Sequence, residues 1–163
     1  MDNGSSLDAL ISAFLRYTEL SAVKFDSVRD IIKIEVALNT NLEEAQGNNF
    51  IDACRQSMAL FYRMRNLNPI HISLKSIQHA GITILRLYRD SRTLAEEEIG
   101  LFIGLVRQEF ASWLIRDDND MVTAALLNEE EKTQVVNKIK SGQESFRNFF
   151  VYRDKGRVFV FNR

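Results

Sequence analysis

Apolar residues recur at three- and four-residue steps in some stretches of this chain and alternate one for one with polar residues in others, and the two periods separate helices from strands. Behind a Ser5/Asp8 capping box, Leu7, Leu10, Ile11, Phe14 and Leu15 share one helical face and predict a short first helix. The period then drops to two: Val23 and Phe25, followed by Ile32, Ile34, Val36 and Leu38, alternate with Lys24, Lys33 and Glu35. This predicts a hairpin over 22–38 with its turn near Val28 to Asp30. A second capping box, Thr40 to Glu43, precedes the stripe Phe50, Cys54, Ser57, Met58, Phe61 and Met64, a long helix ending near Asn66.

Pro69 stands where a helix must already have stopped. Beyond it, Ile70, Ile72 and Leu74 alternate with His71, Ser73 and Lys75, and across the His79-Ala80-Gly81 turn comes Ile82 to Arg89, a second hairpin over 70–89. A third capping box, Thr93 with Glu96, opens a helix whose stripe is Ile99, Phe102, Ile103, Val106, Phe110 and Trp113. Asn128 followed by Glu129, Glu130 and Glu131 predicts a fourth helix ending at Ser141-Gly142. The strands 149–153 and 157–161 around Asp154-Lys155-Gly156 predict a third hairpin over 149–161.

Strand pairs and helices follow one another without strand-helix-strand alternation, so the expected fold is α+β: one domain over 1–163, an antiparallel sheet of three hairpins, and about four helices. The hairpin-then-helix units 22–66 and 70–116 are similar in length, as an internal duplication would make them, although their sequences do not visibly align.

Composition narrows the setting. At 163 residues a single hydrophobic core suffices without disulfides or metal. The lone Cys54 can make no internal disulfide, which favours a reducing cytoplasm, and its place on an apolar stripe predicts a buried core thiol. The start, Met-Asp-Asn-Gly-Ser-Ser, lacks a secretion signal, and the most apolar run, Ile99 to Val106, is far shorter than a membrane span. A soluble cytoplasmic protein with no membrane association is expected.

Chemistry is sparse. None of the seven glycines forms a G-x-G-x-x-G, Walker or nucleophile-elbow pattern, so no cofactor and no catalytic set is predicted. Metal ligands are scarce: His71, His79 and Cys54 are too few, and Asp117-Asp118-Asn119-Asp120 lacks the spacing of a cation loop. Glu96, Glu97 and Glu98 are explained by helix capping and the helix dipole.

Two features rise above this background. On the third helix a second apolar line, Leu94, Leu101 and Leu105, accompanies Gly100 and Gly104, a surface on which a second copy of the chain could pack closely. The leading expectation is therefore a protein-binding adaptor or regulator that acts as a homodimer through this helix. The other feature is charge: the net of −1 resolves into +1 over residues 1–92, −8 over 93–131 and +6 over 132–163. Arg86, Arg89 and Arg92 surround the second hairpin, and Arg153, Lys155 and Arg157 are interleaved with Phe149, Phe150, Tyr152, Phe159 and Phe161. Arginines beside aromatics suit single-stranded nucleic acid, the alternative reading. An enzyme with an arginine-lined anion pocket is the third.

Overall fold

The computed structural model describes residues 3–115, 148–154 and 157–162. The fold is α+β around one antiparallel sheet. Helix α1 (Asn3–Arg16) leads into the hairpin β1 (Leu20–Asp26) and β2 (Ile31–Leu38), then α2 (Glu44–Arg65). The hairpin β3 (Ile72–His79) and β4 (Ile82–Asp90) is followed by α3 (Glu96–Phe110) and a 3-10 turn, Ala111–Trp113. Strands β5 (Asn148–Asp154) and β6 (Arg157–Asn162) complete the sheet, whose order is β3-β4-β2-β1-β5-β6. The predicted fourth helix, the acidic run 117–120 and the turn residues Lys155 and Gly156 lie outside the described residues.

Strand alternation decides which face is core. Ile32, Ile34, Val36 and Leu38 on β2, with Thr83, Leu85, Leu87 and Arg89 directly opposite on β4, are all at most 2% exposed. Leu10, Phe14, Phe50, Met58, Phe102, Val106 and Phe110 pack into the same cluster from the helices. The other sheet face carries the alternate residues Lys33, Glu35, Ile84, Arg86 and Tyr88, which are half-buried.

Several expected boundaries move for local reasons. Glu43 is the N-cap of α2 without a side-chain cap bond, so the Thr40/Glu43 box does not form. Instead the buried Thr83 hydroxyl donates to the Thr40 carbonyl at 2.7 Å and accepts the Leu42 N–H at 3.0 Å, fixing the β2–α2 connection. The Thr93/Glu96 box is displaced likewise: α3 begins two residues later with Ala95 as N-cap, and Glu98 accepts the Ala95 N–H. Trp113 falls outside α3, because the chain turns there and Leu114 bridges back to Leu38. Asn66 ends α2 in the left-handed conformation, φ 53°.

The hairpin-helix units are related by an approximate two-fold axis through the β2–β4 seam. Strands β2 and β4 are antiparallel neighbours, and α2 and α3 run antiparallel, with Phe50 against Phe110 at one end and Tyr62 bonded to Glu98 at the other. Residues 42–58 laid on 94–110 without a gap match at Leu42/Leu94, Glu44/Glu96, Phe50/Phe102, Ile51/Ile103, Arg55/Arg107 and Gln56/Gln108. The buried Cys54 and Met58 fall on the buried Val106 and Phe110. The suspected duplication therefore does align, in its helices.

Both central residues of the β3–β4 turn have positive φ, Ala80 at 50° and Gly81 at 84°. A two-residue turn of this hand favours Asn at the first position, where alanine strains against its own Cβ. Ala80→Asn is expected to raise stability by about 0.5–1 kcal/mol in urea melts; an unchanged midpoint would show the turn already relaxed.

Candidate functional site

The expected anion-binding arginines separate once their surroundings are known. Alternation along β4 turns Arg89 into the core, and it is fully buried. Its guanidinium grips the Glu98 carboxylate with two bonds, Nε to Oε2 at 2.8 Å and Nη2 to Oε1 at 2.9 Å. Nη1 donates to the His71 carbonyl, Thr93 Oγ1 and Asp90 Oδ1, and Nη2 donates also to the Thr93 carbonyl. The Tyr62 hydroxyl donates to Glu98 at 2.7 Å, with Arg89 over its ring. Asp90 accepts the N–H groups of Ile70, His71 and Thr93.

These contacts set the protonation states. Burial works against the charge of Arg89, but the hydrogen bonds and charge of Glu98 outweigh it and hold the pKa above its ordinary value. Burial also opposes the Asp90 charge, and the donors from His71 and Thr93 with the adjacent Arg89 win, lowering its pKa. For Tyr62, burial and then the Glu98 charge both push the phenol upward.

Arg89 is thus withdrawn from any external anion, and Glu98 is a buried ion-pair partner rather than a surface charge at the helix start. The convergence of an arginine with carboxylates that an enzymatic pocket requires is present, but it is closed: Arg89 and Glu98 are both 0% exposed, and His71 meets them through its backbone. It locks β4, α2, α3 and the segment before β3 together. His79 lies at the far end of β3 from His71. Among the described residues, no cluster of three or more His, Cys, Asp or Glu has the spacing of a metal site. Burial pushes the Cys54 thiol up to about 12, as befits a core residue at 1% exposure.

The remaining site residues are distributed as follows. Arg86 faces the side of the sheet away from the helices and bonds Glu35 at 3.1 Å, and Arg92 is exposed beside Asp30 at 3.6 Å. Arg153 and Arg157 are placed by backbone pairing, opposite Val158 and Asp154. On α3, Leu94 is buried in the chain's own core. A Cβ built on Gly100 would sit 2.6 Å from the Tyr17 hydroxyl, so the chain itself covers this glycine. Leu101 and Leu105 are half-buried against the core, and Gly104 is exposed with open space before it. The surface foreseen for a second copy is therefore divided: Leu94 and Gly100 are covered within the chain, Leu101 and Leu105 are partly so, and Gly104 is exposed.

The outer edge of β3 is a different kind of surface, invisible until the strand order is known. His79 and Ile82 flank a two-residue turn, so the hydrogen-bonded pairs of this hairpin involve the odd-numbered residues of β3. The N–H and C=O groups of Ile72, Leu74, Ser76 and Gln78 consequently point away from β4, with no strand beyond them among the described residues. The register runs without a bulge from Ile72↔Arg89 to His79↔Ile82, so no bulge twists this edge away. Beside it α2 overhangs. Gly47 lets the helix approach, since a Cβ there would lie 3.1 Å from Ser76 Oγ. An open groove of about 460 Å³ between Asn48, Ile51, Asp52 and Arg55 on α2 and Leu74 to Ile77 on β3 continues into one of about 260 Å³ by Glu43, Glu44 and Gln78.

Comparison of the chain with protein-family models, with curated proteins and with solved structures finds no match in any of the three. No helix among the described residues is long and apolar enough to cross a membrane.

Proposed function

We propose that the protein is a binding adaptor that recognises an extended segment of a partner protein by adding it, antiparallel, to the edge of β3. One observation carries this reading. The outer edge of β1, the two-fold mate of the β3 edge, is filled by β5 of the same chain, with Val23 opposite Val151 and Phe25 opposite Phe149. The same kind of hairpin-helix unit thus already accepts an antiparallel strand at one end of the sheet, and at the other the equivalent edge has no strand beyond it among the described residues.

The groove specifies the segment. Alternate side chains of an added strand would meet Ile51 and Leu74, so they should be apolar. An antiparallel segment starts at the Gln78 end, beside Glu43 and Glu44, so its first residues should be basic. A second copy of the chain is the competing occupant.

A displayed library of random peptides, selected on the full-length protein, tests the proposal. Enriched sequences should alternate apolar residues behind an N-terminal Lys or Arg. Ser76→Pro, which removes an outward N–H and leaves the ladder to β4 intact, should weaken their binding at least about ten-fold. Peptides that bind Ser76→Pro equally well, or a dimer that this substitution dissolves, would overturn the partner reading.

A further inference from the structure

A second surface, independent of the β3 edge, emerges from the cross-strand register. On the sheet face away from the helices, Lys75, Arg86, Glu35, Ala22, Tyr152 and Phe159 are successive partners in one row across six strands. The next row runs Ser73, Tyr88, Lys33 and Lys24. Two pairs of like charges therefore stand directly opposite each other, Lys75 with Arg86 and Lys33 with Lys24. Such pairs destabilise a sheet.

Compensation is partial. In these two rows the one carboxylate among the described side chains is Glu35, which is shared between Lys33 Nζ at 2.9 Å and Arg86 Nε at 3.1 Å. Lys75 lies over the Tyr88 ring, 5.5 Å from its centroid, and Lys24 is exposed. The cations are flanked by flat aromatic surface: Tyr88 on one side, and on the other Tyr152 stacked on Phe159 with centroids 5.0 Å apart and planes 13° from parallel. A net positive strip carrying aromatic faces matches a polymer with regularly spaced anions and flat bases. An acidic polypeptide would satisfy the charges but make no use of the rings.

We infer that this sheet face, which no described helix covers, binds single-stranded nucleic acid, with Lys24, Lys33, Lys75 and Arg86 on phosphates and Tyr88 and the Tyr152–Phe159 pair against bases. The ligand crosses the strands along the two rows, and Glu35 limits its affinity by neutralising part of the strip. The alternating pattern predicts little dependence on base sequence, because stacking accepts any base.

Fluorescence anisotropy of the full-length protein with a labelled oligouridylate of about twelve nucleotides, titrated from about 20 to 200 mM salt, tests the inference. Binding should weaken with salt, with a log–log slope of about −2 to −3 for three or four phosphates. Lys24→Gln with Lys33→Gln should lower affinity at least about ten-fold and flatten the slope by about 1.4. Tyr88→Ala should lower affinity about five-fold or more with the slope unchanged. Glu35→Gln should tighten binding, a gain that no merely structural role for this carboxylate would produce. Three results would each overturn the inference: no binding at the lowest salt, affinity indifferent to the lysine pair, or competition by polyglutamate as strong as by unlabelled oligouridylate.

Discussion

Replacing Arg89 by methionine should cost about 3–5 kcal/mol, enough to leave a domain of ordinary stability partly unfolded at room temperature. The cost does not measure what the ion pair contributes. Methionine fills most of the volume but strands the Glu98 carboxylate, at 0% exposure, with Tyr62 and the Ala95 N–H as its remaining partners. Asp90 loses its neighbouring cation at the same time. A buried charge without its counter-ion is far more expensive than two apolar side chains in the same space. The double variant Arg89→Met with Glu98→Met should therefore recover a large part of the loss, a coupling read directly from a double-mutant cycle in urea. A single-variant loss under about 1 kcal/mol would show that the guanidinium is not seated in the core.

Alkaline pH should destabilise the protein through Cys54. Desolvation raises its thiol to about 12 in the folded chain, against 9.0 when unperturbed, so the unfolded chain releases the proton first. The associated stability is fully present below about pH 9 and is lost as pH rises toward about 12, at about 1.4 kcal/mol per unit. Tyr62 adds to the decline above about pH 10, since its phenol is also held neutral in the fold. Cys54→Ala lacks the thiol contribution. Between pH 8 and 10 the native chain should lose about 1.4 kcal/mol more than this variant in urea titrations. Parallel losses would place the thiol in contact with solvent.

Much of the architecture was legible because alternation and helical spacing report burial directly. Ile32 to Leu38 and Ile99 to Phe110 are examples, since each apolar stripe became a core face. Arg89 shows where such reasoning stops. It has the inward parity of Leu85 and Leu87, but a charge is ordinarily solvated, and only the spatial arrival of Glu98 makes its burial sustainable. Glu98 was explained by the helix dipole for the same reason: one local cause sufficed, and the distant one left no local trace. On α3 the same limit applies to Gly100, since the sequence does not show that Tyr17 reaches it.

Neither proposed surface is local in sequence. Among the described strands β3 ends the sheet because β4 pairs with β2 on its other side, a fact of strand order. The opposed lysines, Lys24 and Lys33, meet through a register set by the four-residue turn that Asp26 caps with bonds to Val28 and Arg29. Alternation places residues on a face; it does not say which strand lies beside which.

Residue-resolved hydrogen exchange on the full-length protein tests the central claim, the open β3 edge, most directly. In the free protein the amides of Leu74, Ser76 and Gln78 should exchange at least about ten-fold faster than those of Ser73, Lys75 and Ile77, which bond β4. A selected peptide should slow that faster set selectively. Uniform protection along β3 in the dilute free protein, or a bound peptide that leaves those three amides unchanged, would contradict the account.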